Sequence, residues 1–186
     1  LSPALVLIDL QRAIDDPVWR ADGPRNHPDA EARVADLLRL WRGRHWPVFH
    51  VRHLSLNPGS TYAPDGPGAA FKPQAQPQDG EPVISKSAHS AFVGTDLEDR
   101  LSGQGVSVVV IAGVITNNSV EATVRHAGDL GFEVLLAHDA CFTFARRDFS
   151  GVLHDAETVH AMSLANLDGE YCRATTVADL LASFAP

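Results

Sequence analysis

Three residues far apart in the chain, Asp9, Lys86 and Ser119, supply what acyl transfer through a covalent intermediate requires: a carboxylate, an ammonium and a hydroxyl able to act as nucleophile. Each stands just after an apolar run. Asp9 follows ALVLI, Lys86 follows PVIS, and Ser119 ends the polar turn TNNS that comes after VVVIA and Gly113. Because that turn opens an amphipathic helical pattern, Ser119 falls among unpaired amide N–H groups at the positive end of a helix dipole, where developing negative charge is best stabilised. In such a set Asp9 would take the nucleophile's proton and return it to the leaving group. Lys86, within about 4–6 Å, would hold Asp9 ionised, and the N–H groups around Ile115 and Ser119 would form an oxyanion hole.

For three such residues to meet, the segments before them must be neighbouring strands. Six short apolar runs, at residues 4–8, 48–51, 82–85, 108–112, 133–137 and 171–175, alternate with helical patterns. Val34, Leu37, Leu38 and Trp41 recur at the spacing of one helix face, as do Val120, Val124 and Ala127 ahead of Gly131. Thr95 with Glu98 has the form of a capping box for a helix ending near Gly103. A further helix is expected over residues 154–168, and a last one, capped by Thr176 with Asp179, through Phe184. Strands alternating with helices imply right-handed crossovers, and so a three-layer, Rossmann-like α/β fold: a mostly parallel six-stranded sheet with helices on both faces, in a single domain spanning residues 1–186. Ligands bind such sheets at the carboxyl edge of the strands. Asp9, Lys86 and Ser119 all map to that edge.

Composition narrows the function classes. With 45% hydrophobic and 20% charged residues the chain is of globular type, and 15 Lys+Arg against 23 Asp+Glu give a net charge of −8, which argues against a nucleic-acid surface. The two cysteines, Cys141 and Cys172, show neither disulfide-scaffold nor zinc-ligand spacing. No apolar run approaches the roughly 20 residues that span a bilayer and no charged-then-apolar leader opens the sequence, so the expected location is cytoplasmic, with no membrane partner. Two irregular stretches remain. Residues 15–28 carry Trp19, and the Pro- and Gly-rich residues 54–81 offer Tyr62 and Phe71 as pocket walls.

The chain resembles the isochorismatase-like hydrolase superfamily, cysteine hydrolases that include nicotinamidases and carbamoyl amidohydrolases. The resemblance rests on ALVLIDLQ at 4–11, ISKSAHSAF at 84–92 and AGVITNNSVEATVRHAGDLGF at 112–132, with weaker support from HDA at 138–140 and ETVHAMSLANLDGEY at 157–171. It places the family's catalytic aspartate on Asp9, its lysine on Lys86 and its cysteine nucleophile on Ser119. It also implies a cis peptide in the Val114–Ile115 region and a homo-oligomer, dimer or tetramer. Nicotinamidase-type relatives bind a metal through Asp-x-His after the second strand. Here that stretch reads His50-Val51-Arg52-His53 and lacks the aspartate, so neither a catalytic metal nor another cofactor is expected, and His50 and His53 are read as packing or substrate-facing groups.

The serine is the departure from the family pattern. A thiol, with a reference pKa near 8.5, is ionised by a neighbouring carboxylate and ammonium, whereas an alcohol normally needs an imidazole base. His126 lies seven residues along the same helix, roughly 10 Å away at ~1.5 Å per residue. His89 has only its nearness to Lys86 in sequence, and Cys141 is read as a small buried cysteine rather than a replacement nucleophile. Ser119 stands as a substitution that silences turnover, as a natural serine variant, or as the mark of a non-catalytic relative. The expected function is hydrolysis of an amide or ureido C–N bond in a small molecule, with Gln11, Trp19, Tyr62, Phe92, Ile115 and Thr116 about the substrate. The alternatives are hydrolysis of a vinyl ether, with aspartate as proton donor, and a ligand-binding protein without catalysis.

Overall fold

The computed structural model describes residues 2–184. Eight strands, β1 (Ala4–Ile8), β2 (Val48–His53), β3 (Val83–Lys86), β4 (Val108–Val114), β5 (Glu133–Phe142), β6 (Arg146–Arg147), β7 (Leu153–His154) and β8 (Arg173–Thr175), accompany five helices, α1 (Ala30–Gly43), α2 (Leu97–Gly103), α3 (Glu121–Asp129), α4 (Ala156–Leu167) and α5 (Val177–Ser183). Six of the strands form one parallel sheet in the order β3-β2-β1-β4-β5-β8. The chain winds outward from β1 in one direction and from β4 in the other. The crevice outside their carboxyl ends is therefore the topological switch point at which such sheets bind ligands.

Continuous apolar runs make the inner strands because both faces are covered. Every residue of β1 is buried, and α1 lays Ala30, Val34, Leu37, Leu38 and Trp41 against the sheet. The Trp41 indole donates to the Pro3 carbonyl at 2.9 Å, satisfying its one polar atom inside the core. Helices α1 and α5 pack together on one face, α3 and α4 together on the other. Among the described residues no helix is long and apolar enough to cross a membrane.

Three local expectations need correcting. The Thr95–Glu98 capping box does not form: the Thr95 hydroxyl donates to the Ala91 carbonyl at 2.6 Å and accepts from the Leu97 amide at 3.4 Å, and Asp96, at the cap position, turns its carboxylate to Arg100 at 2.8 Å instead of to the helix amides. Strand β5 does not stop near Asp139 but continues to Phe142 through a bulge, since Ile111 pairs with Leu136 while Gly113 already pairs with Cys141. The charged stretch with Arg146, Arg147 and Asp148, which by sequence is only a polar loop ahead of the 154–168 helix, holds a small antiparallel ribbon of β6 with β7. The cap at α5 is as expected, Thr176 accepting from the Asp179 amide at 3.1 Å.

Gly113 is the tightest point between the two central strands. Its φ is +132°, and a Cβ there would sit 2.2 Å from the Ile8 carbonyl oxygen and 2.7 Å from the Ile8 nitrogen, both backbone atoms. Gly113→Ala is expected to lower unfolding free energy by about 2–4 kcal/mol, combining a backbone region reserved for glycine with overpacking. Urea denaturation followed by circular dichroism measures it, and a loss below about 1 kcal/mol would contradict the close approach.

Candidate active site

The chain turns sharply as it leaves β1, and Asp9 adopts φ +53°, a left-handed conformation that Asp tolerates better than most residues. Its amide is tied to the Val51 carbonyl at 3.0 Å and its own carbonyl accepts from the Tyr62 hydroxyl at 3.0 Å, so the backbone is held from both sides. Lys86 ends β3, two strands away, and its long side chain crosses back over the end of β2. The Lys86 Nζ donates to Asp9 Oδ2 at 2.9 Å and the Ala88 carbonyl at 3.0 Å, with His53 Nδ1 at 3.3 Å and Ser119 Oγ at 3.4 Å. Thus the structure brings together the three side chains named from sequence, all buried: Asp9 is 4%, Lys86 3% and Ser119 8% exposed.

Burial raises the Asp9 carboxyl above its ordinary range, while the Lys86 charge, its hydrogen bond and the Ser119 hydroxyl act in the opposite direction. The sequence-based expectation that Lys86 keeps Asp9 ionised thus leaves out the larger effect. The other carboxylate oxygen, Oδ1, is buried with no hydrogen-bond partner among the described residues. The Val114–Ile115 peptide is cis, and Thr116–Val120 forms a single π-type turn that hands the chain to α3.

Asp9 and Ser119 open into a cavity of about 130 Å³ lined also by Trp19, Tyr62, Ile115, Asn118, His53 and His89. Of the residues expected about the substrate, Trp19, Tyr62 and Ile115 line this cavity. The Trp19 indole donates to the Ala13 carbonyl at 3.0 Å and to Thr61 Oγ1 at 3.1 Å, and its ring meets Tyr62 edge-on at 6.2 Å, which joins residues 12–20 to the 54–81 segment across the mouth. His53 and His89 stack in parallel at 6.5 Å on the same rim. Burial, then the charges of Lys86 and His89, push the His53 imidazole down to about 4, so it is neutral near pH 7 and its Nδ1 can accept from Lys86. Asn118 escaped sequence reading because a turn residue gives no sign of its side-chain direction.

Three other expected substrate contacts are placed elsewhere. Gln11 is fully buried and acts as a clamp: its Nε2 donates to the carbonyls of His53 and Ala69, and its Oε1 accepts from the His53 amide at 2.7 Å. Phe92 packs against His126 and Phe132 rather than facing the cavity. Thr116 is wholly buried, with Oγ1 2.8 Å from His160 Nδ1.

Of the remaining candidates, His126 Nδ1 pairs with Ser90 Oγ at 2.9 Å, outside the lining of the cavity. Burial pushes the Cys141 thiol up to about 12, which makes it a poor nucleophile. His50 Nε2 lies 2.7 Å from Glu81, which also holds Arg42, so His50 belongs to a buried network tying β2 to α1. Among the described residues the histidines that gather as metal ligands do are different ones, His27, His138 and His160. Burial, with His27 and His138 beside it, pushes the His160 imidazole down to about 3.

The comparisons agree with this architecture. The isochorismatase domain family matches residues 3–179. The uncharacterized isochorismatase family protein YrdC of Bacillus subtilis is 38% identical over 181 residues, covering 97% of this chain and 95% of its own length. Maleamate amidohydrolase of Pseudomonas putida is 33% identical over 155 residues, 74% of this chain and 71% of that protein. A crystal structure of an isochorismatase-family protein from Chromobacterium violaceum superposes with a TM-score of 0.94 at 56% identity, covering 98% of this chain and 93% of the other. With a match that runs through every strand of the sheet and a fold shared at that level, the chain belongs to the isochorismatase family of hydrolases.

Proposed function

We propose that the protein hydrolyses a non-peptide C–N bond, amide or ureido, in a small molecule through an acyl-enzyme on Ser119. The observation that carries this reading is that one ammonium, Lys86 Nζ, lies within 3.4 Å of both the carboxylate of Asp9 and the hydroxyl of Ser119. Asp9 accepts the hydroxyl proton as Ser119 Oγ bonds to the substrate carbonyl carbon. N–H groups around Ile115 and Ser119 stabilise the oxyanion. Asp9 then delivers the proton to the leaving nitrogen, the C–N bond breaks, and an ester remains on Ser119. Water, deprotonated by Asp9, attacks that ester, releasing the acid and restoring the hydroxyl. A cavity of about 130 Å³ suits a small acyl group, and the similarity to a maleamate amidohydrolase supports the amide class. A homo-oligomer, dimer or tetramer, working in the cytoplasm completes the proposal, on the strength of the family resemblance alone.

One observation favours a second reading. A buried Asp9 with a raised pKa and an unpaired Oδ1 is suited to donate a proton, and hydrolysis of a vinyl ether needs no thiol. There Asp9 protonates the terminal vinyl carbon, water adds to the oxocarbenium carbon, and the hemiketal breaks into a ketone and an alcohol. The two readings demand opposite pH limbs. The amidase works with Asp9 ionised, so its kcat/KM rises with pH through the raised pKa of Asp9. The vinyl-ether reaction works with Asp9 protonated, so its kcat/KM falls as pH rises through the same value. The test measures ammonia release from an amide and ureido panel, and pyruvate release from an enolpyruvyl ether, each across pH. Ammonia with a rising limb is expected, and pyruvate with a falling limb would replace the first reading by the second.

A further inference from the structure

We propose that His27, His138 and His160 form a binding site for a divalent first-row transition metal, zinc above all, separate from the cavity that holds Asp9 and Ser119. The three come from distant parts of the chain: His27 from the segment before α1, His138 from the bulge of β5, His160 from α4. One ring nitrogen of each lies within 4.8 Å of one ring nitrogen of the other two. Tetrahedral ligands held at 2.0–2.1 Å from a zinc ion stand about 3.4 Å apart, a distance that small rotations of the rings reach.

The hydrogen bonds around the cluster leave metal-binding lone pairs free. His27 Nδ1 is 2.8 Å from the Cys141 carbonyl, which only accepts, so Nδ1 carries the proton and Nε2 is the free lone pair. His160 Nδ1 is engaged by Thr116 Oγ1 at 2.8 Å, and its Nε2 is buried with no partner among the described residues. His138 has a buried Nδ1, likewise unpartnered. His160 as a whole is 3% exposed. Ring nitrogens enclosed in this way carry a desolvation cost that no protein hydrogen bond offsets, and a metal ion would satisfy them together. Second bonds from ligating histidines to a carbonyl and a hydroxyl are what orients imidazole ligands in metal sites.

Three neutral imidazoles favour zinc, copper or nickel over magnesium or calcium, which take oxygen. A three-histidine set leaves a fourth position for water or an anion. His27 and His138 are half-buried, which gives an ion a way in. Binding at His160 Nε2 would fix the proton on Nδ1 as donor to Thr116, so the metal would reach the 116–120 turn through a single hydrogen bond. It would also fasten the segment before α1 to the bulge of β5. The site uses none of the residues proposed for hydrolysis, and its test does not depend on that proposal.

The experiment titrates zinc chloride into the chelator-treated full chain by calorimetry, with thermal melting and cobalt(II) absorption alongside. One equivalent per chain is expected, with a rise in Tm on saturation and the intense visible bands of a tetrahedral cobalt site. His27→Ala and His138→Ala, at half-buried positions, are each expected to weaken zinc binding at least about 100-fold, since losing a ligand costs more than losing the group that orients it. His126→Ala, outside the cluster, is expected to leave it unchanged. Absence of saturable binding, or wild-type affinity in the two ligand variants, would overturn the proposal. Should those variants fail to fold, the decision falls to the wild-type protein: a zinc-independent Tm together with an octahedral cobalt spectrum would overturn the site equally.

Discussion

Ser119→Ala is expected to abolish turnover of the amide or ureido substrate, a fall on the order of 10⁴-fold or more in kcat, while Ser119→Cys raises kcat/KM above that of the starting chain by about 100-fold. The loss follows from removing the one protein atom that bonds to the substrate carbon in the proposed mechanism. The gain follows from acidity. A thiol with a reference pKa near 8.5 is partly ionised at neutral pH and is stabilised further by an ammonium, whereas an alcohol must lose its proton during attack. No imidazole is hydrogen-bonded to Ser119 among the described residues. His53, held near 4 by burial and by the charges of Lys86 and His89, turns its Nδ1 to Lys86 and is a weak base, and His89 lines the cavity without a bond to the hydroxyl. Space is not an obstacle, since sulfur replaces oxygen at a side chain that borders the cavity. Ammonia release with the amide panel measures both variants, and intact-protein mass spectrometry detects the acyl group carried by the Ser119→Cys variant. If Ser119→Ala keeps its rate, covalent catalysis is wrong and proton donation by Asp9 is the better account. If Ser119→Cys is folded and silent across the panel, a ligand-binding role without catalysis gains weight.

What made the site legible in the sequence was the length and continuity of the apolar runs. Residues 4–8 and 108–112 are hydrophobic at every position, which fixes them as inner strands, and Asp9 and the 116–119 turn then lie beside each other at the switch point without further information. Lys86 was harder, because β3 alternates exposed and buried residues as an edge strand does. Its long side chain, met by that of Asp9, bridges the two strand spacings between them. The errors have physical causes too. Gln11 looked like a polar group near a pocket, yet its amide answers unpaired backbone groups at the end of β2, a demand that becomes visible only when β1 and the 54–81 segment are in place. Thr116 and Ser119 share one turn and face different neighbours, because a π-type turn rotates successive side chains by an amount that neither strand nor helix periodicity encodes. The bulge in β5 was hidden for the opposite reason: His138-Asp139-Ala140 reads as polar punctuation ending a strand, and the apolar Cys141-Phe142 that resumes it is too short to register alone. The ribbon of β6 and β7 has two residues per strand, with Arg at both positions of the first, and shows no alternation.

Asp9→Asn separates chemistry from architecture at this site. Asparagine keeps the shape of the side chain but can neither accept the proton of Ser119 nor deliver one to a leaving group, so kcat is expected to fall by about 10²–10⁴-fold and the pH limb assigned to Asp9 to vanish. The same change leaves Lys86, 3% exposed, without the one carboxylate it pairs with among the described residues. Removing one member of a buried pair costs up to about 3–5 kcal/mol, and less where the stranded lysine sheds its proton. Adding Lys86→Met to Asp9→Asn removes the stranded charge, keeps at position 9 a residue that tolerates the left-handed backbone, and is expected to recover part of the stability with none of the activity. Urea melts and initial rates on the three proteins distinguish the effects. If Asp9→Asn lost rate only in proportion to folded protein, Asp9 would be a structural partner of Lys86 and the proposed proton transfer would have no agent. A full loss of rate in a variant that still melts cooperatively is the result expected from a carboxylate that handles a proton. The raised pKa is consistent with that duty: burial disfavours the charged form of Asp9, which brings its proton affinity closer to the range in which a group can both take and return a proton near neutral pH.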